Sequence, residues 1–380
     1  AAKGYFINTT SNACTITLPS VATAGDQIIL VDYARTWGTN AITIDSNGLN
    51  FQSSDDTYIV DYDTAGQALN LVYSGATIGW TPSSDIVNAF DHTQPPAQKA
   101  IFAYGYTSGN VSMSNLVSSS GVIASDVTGV GTDRANLAAA GYGVDKAIFA
   151  YGYAGSSSSL SNLVSNSGVI ASDVTGVGTA RFHLAAARYG TGKAIFGYGS
   201  TGSNVSMSNL VSNSGVVASD VTGVGTARET PAAAGYGTNK AIFGFGSGAA
   251  SMTNLVSSSG VVATDTTGVG TGRSGLAAAG YGADKAIFGY GHNGSSVVSL
   301  TNLVSNSGVV ATDVTGVGTA RTNLEATTYG GDKAIFAYGI TGSNVSMSNL
   351  VNNSGVVASD VTGVGTARRT LAAAGYSISA

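Results

Sequence analysis

Short apolar runs separated by Gly, Ser, Asn and Asp dominate the pattern of hydrophobic and polar positions along this chain. Before residue 84 these runs cluster β-branched and aromatic residues or alternate them with polar ones, as β-strands do. The pattern predicts strands over residues 5–8, 14–18, 27–33, 41–44, 58–62 and 68–73. We therefore expect residues 1–83 to form a small all-β domain with a β-sandwich-like arrangement.

From residue 99 onward the pattern repeats itself. The motif Lys-Ala-Ile-Phe begins at Lys99, Lys146, Lys193, Lys240, Lys285 and Lys333, at intervals of 45 to 48 residues. A second motif, Val-Gly-Thr-Xaa-Arg, closes the later part of each copy. All changes in copy length fall between these two motifs, which indicates a tolerant surface loop there.

Each copy contains four strand-length segments, which in the third copy are residues 193–198, 206–212, 216–225 and 231–236. The Leu-Ala-Ala-Ala stretch is too short for a stable helix and is taken as a strand. A unit of about 47 residues with four short strands is the size of one β-propeller blade. A β-solenoid is the alternative, but its coils are usually shorter and its ends need distinct caps. Residues 99–380 are thus predicted to form a six-bladed propeller, and residues 84–98, with Pro95 and Pro96, a semi-rigid linker.

The sequence motifs of the copies also resemble those of known proteins. A strand ending in Gly-Tyr-Gly, an Asn-Leu-Val-Ser-Asn-Ser-Gly hairpin and Thr-Ala-Arg before Leu-Ala-Ala-Ala resemble a kelch-type blade, although the usual paired glycines and blade Trp are missing. The uniform Gly-Val-Val-Ala-Thr-Asp copies are similar to virion structural and tail-fibre-like proteins of marine (cyanophage-like) bacteriophages. Phrases of the first domain, such as Thr-Ala-Gly-Asp-Gln-Ile-Ile-Leu-Val-Asp-Tyr, resemble small β domains of bacteriophage fibres and appendages.

Composition narrows the class of protein further. With 43% hydrophobic and 10% charged residues among 380, the chain is expected to fold rather than remain disordered. Its apolar runs are too short to span a bilayer, and its single cysteine, Cys14, cannot form an internal disulfide. Residues 1–98 hold 2 basic and 9 acidic side chains, and residues 99–380 hold 14 and 12. Neither part predicts a basic surface for nucleic acid. The start at Ala1 without an initiator Met suggests a processed chain or one whose beginning is not included.

No catalytic constellation can be assembled from the sequence. The histidines, His92, His183 and His292, stand in the linker and in loops of two different copies, with no Ser-His-Asp or Cys-His set. The turn at Ser54-Asp55-Asp56 could bind Ca²⁺, but it matches no EF-hand loop. We expect no enzyme activity, no metal and no cofactor.

An Asp and an Arg recur eight residues apart in every copy. A catalytic pair is needed once, whereas a tie between blades is needed in each blade, so these residues are expected to form structural ion pairs or turn hydrogen bonds. The pairs are Asp126 and Arg134, Asp173 and Arg181, Asp220 and Arg228, Asp265 and Arg273, Asp313 and Arg321, and Asp360 and Arg368.

The copies differ at two places, the loop after the first strand and the residues after the repeated Arg. In an up-and-down blade these loops share one end, which makes that end a candidate recognition face; neutral drift in exposed loops is the alternative. The candidate residues are Tyr106, Asn110, Tyr153, Phe182, His183, Glu229, His292, Asn293, Asn323, Asn344 and Arg369.

These observations lead to three functional hypotheses. The first is a bacteriophage tail-fibre or appendage protein on the virion surface, whose propeller binds a host-surface glycan or protein. Its first domain would contact other virion proteins, and the fibre resemblance implies a homo-oligomer, namely a homotrimer. The second is a purely structural head or tail decoration protein without a ligand. The third is a glycan-processing enzyme on a propeller scaffold.

Overall fold

The computed structural model describes residues 3–54, 60–83 and 97–378, which form β-strands and turns without any helix. The all-β prediction is confirmed, and no helix among these residues could cross a membrane. The chain divides into two compact units, Ala1–His92 and Thr93–Ala380. This division falls inside the predicted linker of residues 84–98, of which 84–96 lie outside the described residues.

The described residues of the first unit form seven strands in two sheets. The strands are β1 (Lys3–Ile7), β2 (Cys14–Thr17), β3 (Gln27–Asp32), β4 (Ile42–Asp45), β5 (Val60–Tyr62), β6 (Ala68–Tyr73) and β7 (Trp80–Pro82). One sheet has the order β1-β3-β6-β7 and the other the order β2-β4-β5. Six of these strands overlap the six predicted ones, and β7 was not predicted.

The two sheets of the first unit share one hydrophobic core. Alternate residues of β6, Leu69, Leu71 and Tyr73, are buried, as the period of a strand with one buried face requires. They meet Ile42 and Ile44 of the second sheet in the same cluster. This shared core joins the two sheets into one small unit.

The second unit contains three kinds of strand, each present six times. The alanine strands are β10 (Ala138–Tyr142), β13 (Ala185–Tyr189), β16 (Ala232–Tyr236), β19 (Ala277–Tyr281), β22 (Glu325–Tyr329) and β25 (Ala372–Tyr376). The lysine strands are β8 (Lys99–Ala103), β11 (Lys146–Ala150), β14 (Lys193–Gly197), β17 (Lys240–Gly246), β20 (Lys285–Gly289) and β23 (Lys333–Ala337). The asparagine strands are β9 (Ser114–Val117), β12 (Ser161–Val164), β15 (Ser208–Val211), β18 (Ala250–Val256), β21 (Thr301–Val304) and β24 (Ser348–Val351).

Each sheet of the second unit crosses a boundary between copies. A lysine strand pairs antiparallel with the asparagine strand of its own copy and with the alanine strand of the preceding copy, as in β10-β11-β12. The first lysine strand, β8, has no preceding copy and pairs instead with β25 at the end of the chain, from Ala372 opposite Ala103 to Tyr376 opposite Lys99. Each alanine strand contacts the next one, and β25 also contacts β10.

The third predicted segment of each copy is not a regular strand, so the prediction of four strands per copy is wrong. In the third copy residues 216–225 form only two isolated β-bridges with the asparagine strand, Val211 to Val217 and Ser208 to Val221. Between them the Asp220 carboxylate accepts hydrogen bonds from Thr179 of the preceding copy. The segment therefore serves contacts between copies instead of completing a ladder.

The alanine strands are built from small residues because neighbouring backbones approach each other closely. A Cβ added to Gly141 would lie 3.1 Å from the carbonyl oxygen of Gly375 in the neighbouring alanine strand. The lysine strands behind them carry the bulk of the core, and Ile195 and Phe196 are fully buried. The Leu-Ala-Ala-Ala stretch is thus a strand, as predicted.

The residue two positions after each repeated Arg has a left-handed backbone, with φ between 52° and 59°. We call residues 136, 183, 230, 275, 323 and 370 the left-handed set. Their N–H groups donate to carbonyls of the same set one copy away: His183 to Asn136, Thr230 to His183, Asn323 to Gly275, Thr370 to Asn323 and Asn136 to Thr370. These bonds fix the spacing of the loops that carry the differences between copies.

Candidate functional site

The two variable places of the sequence lie side by side in the structure. In five of the six copies the residue after the repeated Arg forms a β-bridge with the loop that follows a lysine strand, as between Ala135 and Tyr153 or between Phe182 and Ser200, and the carbonyl of Glu229 accepts a hydrogen bond from Ser247 N–H of the equivalent loop. Because alanine and lysine strands are antiparallel, these two loops meet at one end of each sheet. The placement of both variable loops at one end agrees with the sequence-based expectation.

Four of the candidate recognition residues form one group, which we call the aromatic cluster: Tyr153, Phe182, His183 and Glu229. The rings of Tyr153 and Phe182 are 5.6 Å apart, and those of Phe182 and His183 are 4.9 Å apart, both edge to face. His183 Nδ1 lies 3.0 Å from Glu229 Oε2. Tyr153 is 38% exposed, and the His183 and Glu229 side chains are about one-third exposed. The cluster is an accessible surface with aromatic faces beside polar groups.

A second group, the arginine cluster, consists of Tyr106, Asn344 and Arg369. The Arg369 guanidinium lies 4.9 Å from the centre of the Tyr106 ring and donates to Asn344 Oδ1 at 3.2 Å. Asn344 Nδ2 donates to the carbonyls of Tyr106 and Thr107. Asn110 makes the corresponding bond to the carbonyl of Tyr153 at 2.9 Å. The two asparagines thus tie neighbouring loops together.

The remaining candidate residues stand apart from these groups. His292 Nδ1 accepts a hydrogen bond from Gly294 N–H, and Asn293 Oδ1 accepts from Ser295 and Ser296, so both stabilise their own loop. Asn323 belongs to the left-handed set through its backbone. The contacts of these three residues indicate a role in loop conformation more directly than a role in ligand binding.

The repeated Arg and Asp lie in ion-pair range across copies rather than within one. Five of the six Arg residues lie 3.5 to 4.0 Å from the Asp of the neighbouring copy: Arg134 with Asp173, Arg181 with Asp220, Arg228 with Asp265, Arg321 with Asp360 and Arg368 with Asp126. Arg273 donates instead to the carbonyl of Leu300, and its guanidinium interacts electrostatically with Asp313 of the next copy. The contact from Arg368 to Asp126 joins the last copy to the first.

A buried asparagine donates to the repeated Asp in each copy, and it was not singled out from the sequence. Asn349 donates to Asp360 Oδ1 at 2.9 Å and accepts from Arg321 Nη2 at 2.7 Å. The Asp360 carboxylate also accepts from the N–H and Oγ1 of Thr319 in the preceding copy. The asparagine recurs in every Asn-Leu-Val motif, and this recurrence was the signal available in the sequence. Interpreting the motif as a hairpin drew attention away from the role of the asparagine side chain.

The repeated aspartates have pKa values below the ordinary value, although burial alone raises them. In Asp360 hydrogen bonds from Thr319 and Asn349, together with the Arg321 charge, outweigh the burial effect, and the other five follow the same pattern. A carboxyl whose pKa is lower in the folded state stabilises the fold above its unfolded pKa of about 3.9. That stability is lost as pH falls through the folded pKa.

We therefore expect the melting temperature to fall steeply at acid pH, because six equivalent carboxylates must be protonated. A melting series from about pH 6 to pH 2 measures this, and the Asp360→Asn variant should show a shallower dependence below about pH 4. Asp133→Asn, outside the network, serves as the control and should keep the original slope. An identical slope in Asp360→Asn would contradict the assignment.

The alanine strands also line a solvent-open cavity of about 200 Å³. Its walls are alanine and glycine, with Arg188, Lys240 and Lys285 as cationic lining residues. Arg188 and Glu325 were not singled out from the sequence, although they interrupt the alanine pattern visibly. Glu325 replaces an alanine at the first position of β22, and burial raises the pKa of its carboxyl well above the ordinary value.

Within the described residues no group of three or more His, Cys, Asp or Glu side chains could hold a metal ion. The turn considered for Ca²⁺ in the sequence, where no metal was expected, includes Asp55 and Asp56, which lie outside those residues. No protein-family model and no curated protein sequence matches this chain. The geometry of the two loop clusters, the inter-copy ties and the cavity thus provides the basis for functional inference.

Proposed function

We propose that the second unit is a six-bladed, kelch-like β-propeller. Three observations support a closed arrangement: alanine strands contact one another in succession from β10 to β25, β25 also contacts β10, and β25 pairs with β8. The turns after the alanine strands support it too, since Ser377 N–H at the chain end donates to the carbonyl of Asp145 in the first such turn. Blades of three strands and one irregular segment would then surround the cavity.

We further propose that the propeller is a recognition module and not an enzyme. The observation that carries this proposal is the aromatic cluster, because Phe182, His183 and Glu229, each found in one copy only, converge there beside Tyr153 on a scaffold that otherwise repeats itself. Aromatic faces beside a carboxylate and an imidazole suit a sugar, which presents C–H faces and hydroxyl groups together. The ligand class that fits is therefore a host-surface glycan, or a protein surface with the same groups.

The biological setting rests on the resemblance to bacteriophage fibre and appendage proteins. In that setting the first unit attaches the chain to other virion proteins and forms a homotrimer, while the propeller faces the host cell. Exposed apolar residues of the first unit favour such self-association: Phe6 is 75% exposed, Tyr33 67% and Val21 83%. Phe6 belongs to β1, an edge strand with unpaired backbone groups.

The recognition proposal predicts that Phe182→Ser with His183→Ala weakens binding at least about tenfold, because the variant removes one aromatic face and the partner of Glu229. The measurement is binding of the full chain to a panel of bacterial-surface glycans and to whole candidate host cells. The matched control is His292→Ala, which changes a histidine in another loop at the same end. Equal binding by the double variant and the parent would contradict the proposal.

A specific observation favours the second candidate, a structural decoration protein. An exposed valine recurs at one position of every copy: Val122, Val169, Val216, Val261, Val309 and Val356, each 61 to 66% exposed. Because this apolar feature is repeated and not unique, it suits contact with neighbouring subunits more than recognition of one ligand. Failure of all glycan and cell binding, with normal assembly into particles, would favour this function.

A further inference from the structure

The cavity between the alanine strands contains three cationic side chains and no acidic one among its described lining residues. Arg188 comes from an alanine strand, whereas Lys240 and Lys285 begin lysine strands, so three separate elements contribute the positive charge. Thr327 and Thr328 add hydroxyl groups to the same wall. An aqueous cavity with this lining attracts a negatively charged group.

Arg188 places a charged side chain in a cavity wall that otherwise consists mainly of alanine and glycine. The corresponding position is glycine in four alanine strands, Gly141, Gly235, Gly280 and Gly375, and Thr328 in the fifth. Arg188 Nη2 donates to the carbonyl of Gly143 at 2.9 Å, and among the described residues the guanidinium has no carboxylate partner. The neutral carbonyl occupies one donor of a group that has five.

Burial lowers the pKa of Arg188 to about 10, so the side chain is still charged at neutral pH. The Arg188 side chain is part-buried, and a cation in such a position favours a neighbouring anion. Among the residues that the structure describes, Lys285 alone of the three cavity cations has an ion pair, with Asp284 at 3.7 Å, and both groups are partly exposed. The charge of Arg188 is thus left for an external partner.

We propose that this cavity binds a small oxyanion, a phosphate or a carboxylate, through Arg188 with Lys240 and Lys285. Its volume of about 200 Å³ is large enough to admit a small oxyanion. A guanidinium fork matches both oxyanion geometries. The site is separate from the aromatic cluster and does not depend on glycan recognition.

The experiment is isothermal titration of the full chain with inorganic phosphate and, separately, with succinate, in chloride buffer of matched ionic strength. Saturable binding at millimolar concentration or below is expected for at least one probe, and the tighter probe identifies the source of the oxyanion. Arg188→Gly should weaken it at least about tenfold, because a charge-assisted hydrogen bond is lost. This variant adopts the residue of four sister strands and should therefore fold.

Arg188→Lys should retain part of the affinity, since it keeps the charge but loses the fork. Lys146→Met is the control, because it removes a lysine at the equivalent strand position that does not line the cavity. Equal affinity in Arg188→Gly and the parent, or no saturable binding of either probe to the parent, would overturn the proposal. Weakening by Lys146→Met equal to that by Arg188→Gly would do so too, because it would indicate a general charge effect.

Discussion

Phe196→Ala is expected to lower the free energy of unfolding of the second unit by about 3 to 5 kcal/mol. The side chain is fully buried in a lysine strand, and its ring lies 5.4 Å from that of Tyr151 in the preceding copy. Truncation removes transfer free energy and leaves a cavity that surrounding strands cannot fill. Denaturant titration, monitored by far-UV circular dichroism, measures the loss of stability.

Val216→Ala is the matched control, because Val216 is 64% exposed and its truncation should change stability by less than about 0.5 kcal/mol. A loss below about 1 kcal/mol for Phe196→Ala would place the lysine strand at the surface. Such a result would contradict the buried position that both the sequence and the structure assign to this strand.

Arg321→Met is expected to cost a similar amount, about 3 to 5 kcal/mol, because it breaks a buried charged network by removing one partner. Arg321 is fully buried, donates to the carbonyl of Tyr338 and to Asn349, and lies 4.4 Å from the centre of the Tyr290 ring. Loss of the guanidinium leaves the buried Asn349 Oδ1 without its donor. Chemical denaturation again gives the measurement.

Arg369→Met controls for the loss of a positive charge, since Arg369 lies in a loop and outside the buried network. We expect it to change stability by less than about 1 kcal/mol. A loss for Arg321→Met no larger than that of Arg369→Met would show that the inter-copy ties contribute little. The Asp and Arg repeated eight residues apart would then need another explanation.

Local pattern predicted the strands of this molecule well, because strand-length apolar runs between Gly, Asn and Ser have few other solutions. The lysine strands and the Leu-Ala-Ala-Ala strand are examples. The pattern did not reveal that each sheet includes the alanine strand of the preceding copy. A repeating sequence gives the order of the strands but does not show which of them pair in one sheet. It also suggested a regular strand over residues 216–225, because valine propensity is local whereas the bonds of Asp220 to Thr179 are not.

The candidate site was predictable to a similar extent. Comparison of copies led to Tyr153, Phe182, His183 and Glu229, which the fold does bring together. It could not distinguish them from His292 and Asn293, whose polar atoms serve their own loop. Arg188 escaped notice for a different reason: its environment is created by strands far apart in sequence, and only their packing makes it a cavity residue.

The pairing of β25 with β8 has a consequence for synthesis on the ribosome. The lysine strand that is translated first receives its alanine strand from the last residues of the chain. At about 5 to 20 residues per second the intervening copies take tens of seconds to emerge, and β8 keeps an open edge throughout. Folding of the second unit can thus be completed only after β25 has emerged, and a nascent chain interrupted before Ala372 would present that edge to any partner strand nearby.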